Sequence, residues 1–140
     1  MLSAVAIDHG TLRSGFAVAD PLRIACEPIG VCEAAGDGEE LLDYIETLFE
    51  DRDIGTFVVG IPFNMDGTEG PRAADVRRFG ERLQARFPQV RVAFVDERLT
   101  TVEADERIRA SGRTKNRSAL KDSWAAVVLL ESWIAAGEPS

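Results

Sequence analysis

Apolar residues fall along this chain in short blocks with two spacings, and the spacings separate strands from helices. Met1 to Asp8 is a near-continuous apolar run that stops at an acid, as a buried strand does. After the turn Asp8-His9-Gly10-Thr11, Ser14 to Ala19 reads as a second strand, and Asp20-Pro21 as the next turn. Arg23 to Cys32 reads as a third, interrupted by Pro28, which suits an edge or a bulge. Glu39 to Arg52 carries Leu41, Leu42, Ile45, Leu48 and Phe49 on one helical face. Thr56 to Ile61 is a strongly apolar strand. Pro71 suits the first turn of a helix to about Phe87, with Val76, Phe79, Leu83 and Phe87 as its inward stripe. Val90 to Val95 is another strand. Thr100-Thr101-Val102-Glu103 has the form of a capping box opening a helix that stops near Gly112, and a last helix covers roughly Ser118 to Ala136.

The order β-β-β-α-β-α-β-α-α predicts an α/β fold. Three strands joined by tight turns form an antiparallel meander, and strands separated by helices pair in parallel through right-handed crossovers. The result is a five-stranded mixed sheet with helices on both faces, the element order of a ribonuclease-H-like fold. No linker, repeat or low-complexity tract divides the 140 residues, so one domain over 1–140 is expected.

Composition narrows the chemistry. No apolar run approaches the roughly 18 residues that span a bilayer. The first residues lack the basic region and cleavage site of a secretory signal, so a cytoplasmic location and no membrane partner are expected. Cys26 and Cys32 are six apart in one strand and would share a face, too far apart to bridge if that strand is continuous. With one histidine, His9, and no CxxC pair, any metal would be held by oxygen. The net charge of −8 opposes nucleic-acid binding through a global positive field. It leaves room for a local basic track, because exposed charges are screened beyond roughly 8 Å.

In such a sheet the first, fourth and fifth strands run parallel, and their carboxyl ends share one edge, where ligands of open α/β sheets bind. Those ends are Asp8, the loop Asn64-Met65-Asp66-Gly67, and Asp96-Glu97-Arg98. Asp122 shares a helical face with Ala126, Leu129 and Trp133, so it should point inward onto the sheet, where it needs a cation or a salt bridge with Arg98 or Lys121. Spacing alone does not choose between Asp96 and Glu97. Carboxylates suit Mg²⁺ or Mn²⁺, and such ions cleave phosphodiesters without a side-chain nucleophile. None is evident here.

Four motifs resemble one known family. They are Asp8-His9-Gly10-Thr11-Leu12-Arg13-Ser14-Gly15, the run Val59 to Pro71, the run Val95 to Ala104, and Lys121-Asp122-Ser123-Trp124-Ala125-Ala126. Together they resemble the YqgF-type proteins, described as pre-16S ribosomal RNA nucleases and as Holliday-junction resolvases. The resemblance covers nearly the whole chain. It implies a ribonuclease-H-like fold, a divalent-metal site (Mg²⁺ or Mn²⁺), and catalytic, metal-holding acids at Asp8, Glu97 and Asp122. It also favours processing of the 5′ end of pre-16S rRNA, with ribosome precursor particles as partners, over junction resolution. The family usually has lysine where Leu12 stands, and its segment matching Arg113 to Lys121 is more densely basic.

Arg13, Arg98, Arg113, Lys115, Arg117 and Lys121 lie near the acidic edge in sequence and are candidates for holding substrate phosphates. Asn64 belongs to a turn that the resemblance brings to the same site. Arg78, Arg82 and Arg86 recur every four residues and read as a solvated helix face. Two other functions compete: an ATP-binding domain of the actin and sugar-kinase type, whose phosphate loop also reads Asp-x-Gly-Thr, and a non-catalytic nucleic-acid-binding module. A resolvase needs a homodimer to place two sites on a junction, whereas an rRNA nuclease does not, so a monomer or a homodimer is expected.

Overall fold

Alternation along the first strand assigns the two faces of the sheet. The structure is a computed structural model and describes residues 2–98 and 117–140, with 117–121 described by backbone alone. Strands β1 (Ser3–Asp8), β2 (Ser14–Ala19), β3 (Cys26–Cys32), β4 (Ile54–Ile61) and β5 (Arg91–Asp96) form one sheet in the order β3-β2-β1-β4-β5. The first three pair antiparallel, while β1–β4 and β4–β5 are parallel. This is the expected mixed sheet.

Val5 and Ile7 of β1 face helices α1 (Glu39–Thr47) and α2 (Pro71–Arg86), joining Leu41, Ile45, Val76, Phe79 and Leu83 in one core. Ala4 and Ala6 face the other way, with Ala17, Ala19, Val58 and Ala93. That floor of small residues lets helix α3 (Arg117–Ala135) lie close, and Ala126, Leu129, Leu130 and Trp133 fill the space above it. Helices thus cover both faces, and the stripe running from Asp122 through Trp133 is the inward one. Among the described residues no helix is long and apolar enough to cross a membrane.

Several boundaries differ from the sequence expectation. The third strand begins at Cys26 because the Asp20 carboxylate accepts the N–H groups of Leu22, Ile24 and Ala25, and Arg23 adopts a left-handed φ of 58°. Its register slips at Pro28, where Phe16 opposes Gly30 and Ala17 opposes Pro28. That one-residue bulge reverses the faces beyond it. Cys32 therefore enters the core beneath α1, while Cys26 packs on the α3 side, and both thiols are free. The continuous-strand reading, which put them on one face, is corrected. The first helix ends at Thr47, after which i→i+3 bonds tighten the chain through Glu50. The helix expected over residues 100–112 lies outside the described residues.

Candidate active site at the carboxyl edge of the sheet

Asp8 has the parity of Ala4 and Ala6, so its side chain points to the α3 face. It is flanked on both sides by glycine: Gly15 on β2 is its paired residue, and Gly60 on β4 lies beside it in the register that pairs Ile7 with Val59. Each missing side chain leaves room that another acid uses. A Cβ on Gly60 would come within 2.5 Å of Glu97 Oε2 and 2.8 Å of Leu129. A Cβ on Gly15 would collide with the Asp122 carbonyl oxygen. Glycine inside a strand commonly marks such a close approach. Here the two glycines admit the second and third acids to the first.

Glu97 follows β5 directly, and its N–H donates to the Ile61 carbonyl at 3.2 Å. Its carboxylate turns inward and hydrogen bonds with Asp8. Burial, then the charges of Glu97 and Asp122, push the Asp8 carboxyl well above the usual aspartate range. Burial also raises Glu97, while the Arg72 charge and the Asp8 hydrogen bond pull it back. One proton therefore sits between two carboxyls: Asp8 donates and Glu97 accepts. Asp96, by contrast, is exposed and lowered by the Arg98 guanidinium, which grips it through Nε at 2.8 Å and Nη2 at 2.6 Å. The structure thus separates the two neighbouring acids, and Glu97 is the inward one.

Asp122 comes from the first turns of α3, with Ser123 buried beside it. Its charge raises Asp8, so it lies within electrostatic reach of the pair. The sequence points to Arg98 or Lys121 as its partner. Arg98 is taken by Asp96, and the side chain of Lys121 lies outside the description. Instead Arg13 Nε stands 2.5 Å from Asp122 Oδ2, an oxygen that is buried and makes no aligned hydrogen bond among the described residues. As the side chains stand, no three acids, histidines or cysteines among the described residues converge to metal-holding distance. The donor set still fits a hard cation: all ligands are oxygen, two carboxyls already touch, and the third offers a buried oxygen without an aligned donor.

The other candidates are distributed unevenly. Asn64 knots its own loop: its N–H donates to the Thr68 carbonyl at 2.8 Å, its amide to Thr68 Oγ1 at 3.0 Å, and its carbonyl accepts from Gly67, whose φ is 86°. Arg117 opens α3, Lys121 lies one turn further on, and Arg113 and Lys115 lie outside the described residues.

Two contributors escape the sequence reading. Arg72 reaches the His9 carbonyl at 3.0 Å and acts electrostatically on both Asp8 and Glu97. A cation in the first turn of a helix opposes the helix dipole, which is the signal that it serves a partner elsewhere. His9 is buried, stacks on Phe79 at 4.3 Å and bonds through Nε2 to the Gly36 carbonyl at 2.8 Å. Burial holds its pKa down, so the neutral ring is a structural strut.

The fold has close solved counterparts in shape. Thermus thermophilus RuvC in complex with a Holliday junction substrate superposes with a TM-score of 0.59 at 15% identity, covering 99% of this chain and 98% of that one. The Fowlpox virus resolvase in complex with its substrate Holliday junction DNA gives 0.60 at 12% identity over 99% and 100%. At these identities the likeness concerns the fold. Among sequence relatives, a protein of Anaeromyxobacter dehalogenans named "Putative pre-16S rRNA nuclease" is 37% identical over 134 residues, 95% of this chain and 96% of its own length. A protein of the same name from Coxiella burnetii is 38% identical over 133 residues, 95% and 92%. Fold and sequence relatives together mark a nuclease of the ribonuclease-H-like class. Within that class the chain belongs to the RuvX family, described as Holliday junction resolvase, whose pattern matches residues 2–136.

Proposed function

We propose that this chain is a metal-dependent nuclease that hydrolyses phosphodiester bonds of structured nucleic acid, and that its substrate is the 5′ end of pre-16S rRNA, in the cytoplasm. The observation that carries the reading is the Asp8–Glu97 carboxyl pair at the sheet edge with Asp122 in electrostatic reach, in the spaces left by Gly15 and Gly60. Those three acids would hold Mg²⁺ or Mn²⁺. When bound, such ions activate a water and stabilise the departing oxygen of a phosphodiester.

The chain's own residues do the rest. Asp8 and Glu97 would have to be deprotonated to hold a cation, so metal affinity should rise with pH. Arg13, Arg98, Arg113, Lys115, Arg117 and Lys121 hold flanking phosphates without reading sequence. Asn64 keeps the β4–α2 loop in shape at the edge of the site. The names of the relatives favour precursor 16S ribosomal RNA as the nucleic acid.

The family description and the junction-bound neighbours favour a second reading, resolution of four-way DNA junctions by a homodimer. One experiment separates the two. A precursor-rRNA fragment and a four-way DNA junction are incubated with the protein, with and without Mn²⁺. Metal-dependent cleavage of the RNA alone supports the first reading; symmetric nicking of the junction supports the second. Asp8→Asn, Glu97→Gln and Asp122→Asn are each expected to abolish cleavage while circular dichroism stays native. Full activity in any one removes that acid from the mechanism.

A further inference from the structure

We propose that Arg13 is a built-in competitor for the metal: it neutralises Asp122 in the metal-free protein and must leave before Asp122 can join Asp8 and Glu97. This rests on the metal-holding reading above and adds to it a coupling between substrate phosphate and metal affinity.

The three acids reach a tolerable metal-free state by two different devices. Asp8 and Glu97 hydrogen bond to one another. Among the described residues Asp122 has no such partner, and its buried Oδ2 is met there by the Arg13 guanidinium at 2.5 Å, without hydrogen-bond alignment. The contact is therefore one of charge, and charge is what a divalent cation supplies more strongly and at shorter range, about 2.0–2.1 Å for Mg²⁺ to oxygen. Guanidinium and cation repel one another and want the same oxygen, so their occupancies are mutually exclusive.

Arg13 is mounted to move. The backbone of its turn is pinned: the Gly10 N–H donates to Ser14 Oγ at 3.2 Å, the Gly36 N–H donates to the Thr11 carbonyl at 2.9 Å, and Ser14 is buried. The side chain itself is 41% exposed against 24% for Asp122. It can swing toward solvent without disturbing β1 or β2. A polyanion at this edge offers a new partner for the freed guanidinium, so substrate binding lifts the competition. Thermodynamic reciprocity then requires that metal tighten substrate by the same factor.

The sign of the effect distinguishes this from a structural role. Mn²⁺ affinity is measured by the loss of the free-ion electron paramagnetic resonance signal, with and without a phosphorothioate oligonucleotide that resists cleavage. Arg13→Gln is expected to bind Mn²⁺ at least about fivefold tighter than wild type without the oligonucleotide, the lower end of typical couplings. The tightening that the oligonucleotide confers on wild type should shrink in Arg13→Gln by the same factor. Arg13→Lys keeps the charge and should fall between. A residue that merely positioned Asp122 would give weaker Mn²⁺ binding on removal, so equal or weaker affinity in Arg13→Gln overturns the inference. Absence of saturable Mn²⁺ binding in wild type and variant alike, with or without oligonucleotide, overturns the metal-holding reading and this inference with it.

Discussion

Asp8 keeps its proton in a range where an exposed aspartate is ionised, because burial and the neighbouring Glu97 and Asp122 oppose another negative charge. Above pH about 4, where an unfolded aspartate ionises, the native metal-free chain therefore binds more protons than the unfolded one. The contribution of this group is fully present below that pH and is lost as pH rises toward the raised native value. In EDTA the melting temperature should fall across this window. Asp8→Asn should flatten the fall and melt above wild type at pH 7, as followed by circular dichroism. A lower melting temperature for Asp8→Asn at pH 7 would mean that the Asp8–Glu97 bond stabilises more than the buried charge costs. His9 moves in the opposite sense, since burial lowers its pKa and keeps it neutral between Phe79 and the Gly36 carbonyl. Removing it should cost stability first and activity only through Asp8 next door.

At the scale of elements, the site exists because two strands lack a side chain where a helix and a strand end come close. Gly60→Ala places a methyl against the Glu97 carboxylate and Leu129; both can shift, so the fold should survive at about 1–3 kcal/mol. Activity should fall much further, because Glu97 is pushed from Asp8. Gly15→Ala meets backbone at Asp122, which cannot yield as a side-chain tip can, and should cost more stability than Gly60→Ala in parallel urea titrations. The reverse order would mean that α3 shifts freely on the sheet. Strand and helix blocks were legible in the sequence because burial alone sets their periodicity, and the inward stripe through Asp122 followed from the same rule. The face of Cys26 was not legible, since a single bulged residue at Pro28 inverts it. Nor was the choice of Glu97 over Asp96, which depends on how β5 ends against Ile61. The Arg13 partnership was hidden for another reason: it closes a separation of more than 100 residues, and no local pattern encodes it.

Over the whole molecule acids outnumber cations, giving a net charge of −8, and many of the described cations are held in ion pairs. Arg86 bridges to Asp43 and Glu46, Arg82 to Glu39, and Arg78 to Asp75, so the basic stripe of α2 is spent on α1 and on α2 itself, and neighbouring Arg77 pairs with Glu69. The stripe is thus a solvated, acid-paired face, with partners on other elements as well as its own. Such exposed pairs contribute little, and Arg86→Ala should leave the melting temperature nearly unchanged. It should also leave the salt dependence of oligonucleotide binding unchanged. Arg13→Gln should reduce the slope of log affinity against log salt by about 0.7 for a single strand, the value of one lost phosphate contact. An equal reduction in Arg86→Ala would extend the binding track onto α2.

The strand that bears Asp8 lies third of five, bonded on one side to an antiparallel neighbour and on the other to a parallel one, with Ala4 through Ile7 wholly enclosed. Its amides should be among the slowest in the protein to exchange with deuterated water. The acidic centre then has one anchored pole, on the most protected segment of the chain, and one adjustable pole, where α3 begins. Variation that tunes how readily a cation is captured will accumulate around Arg13 and the start of that helix, because changes around Asp8 would loosen the middle of the sheet.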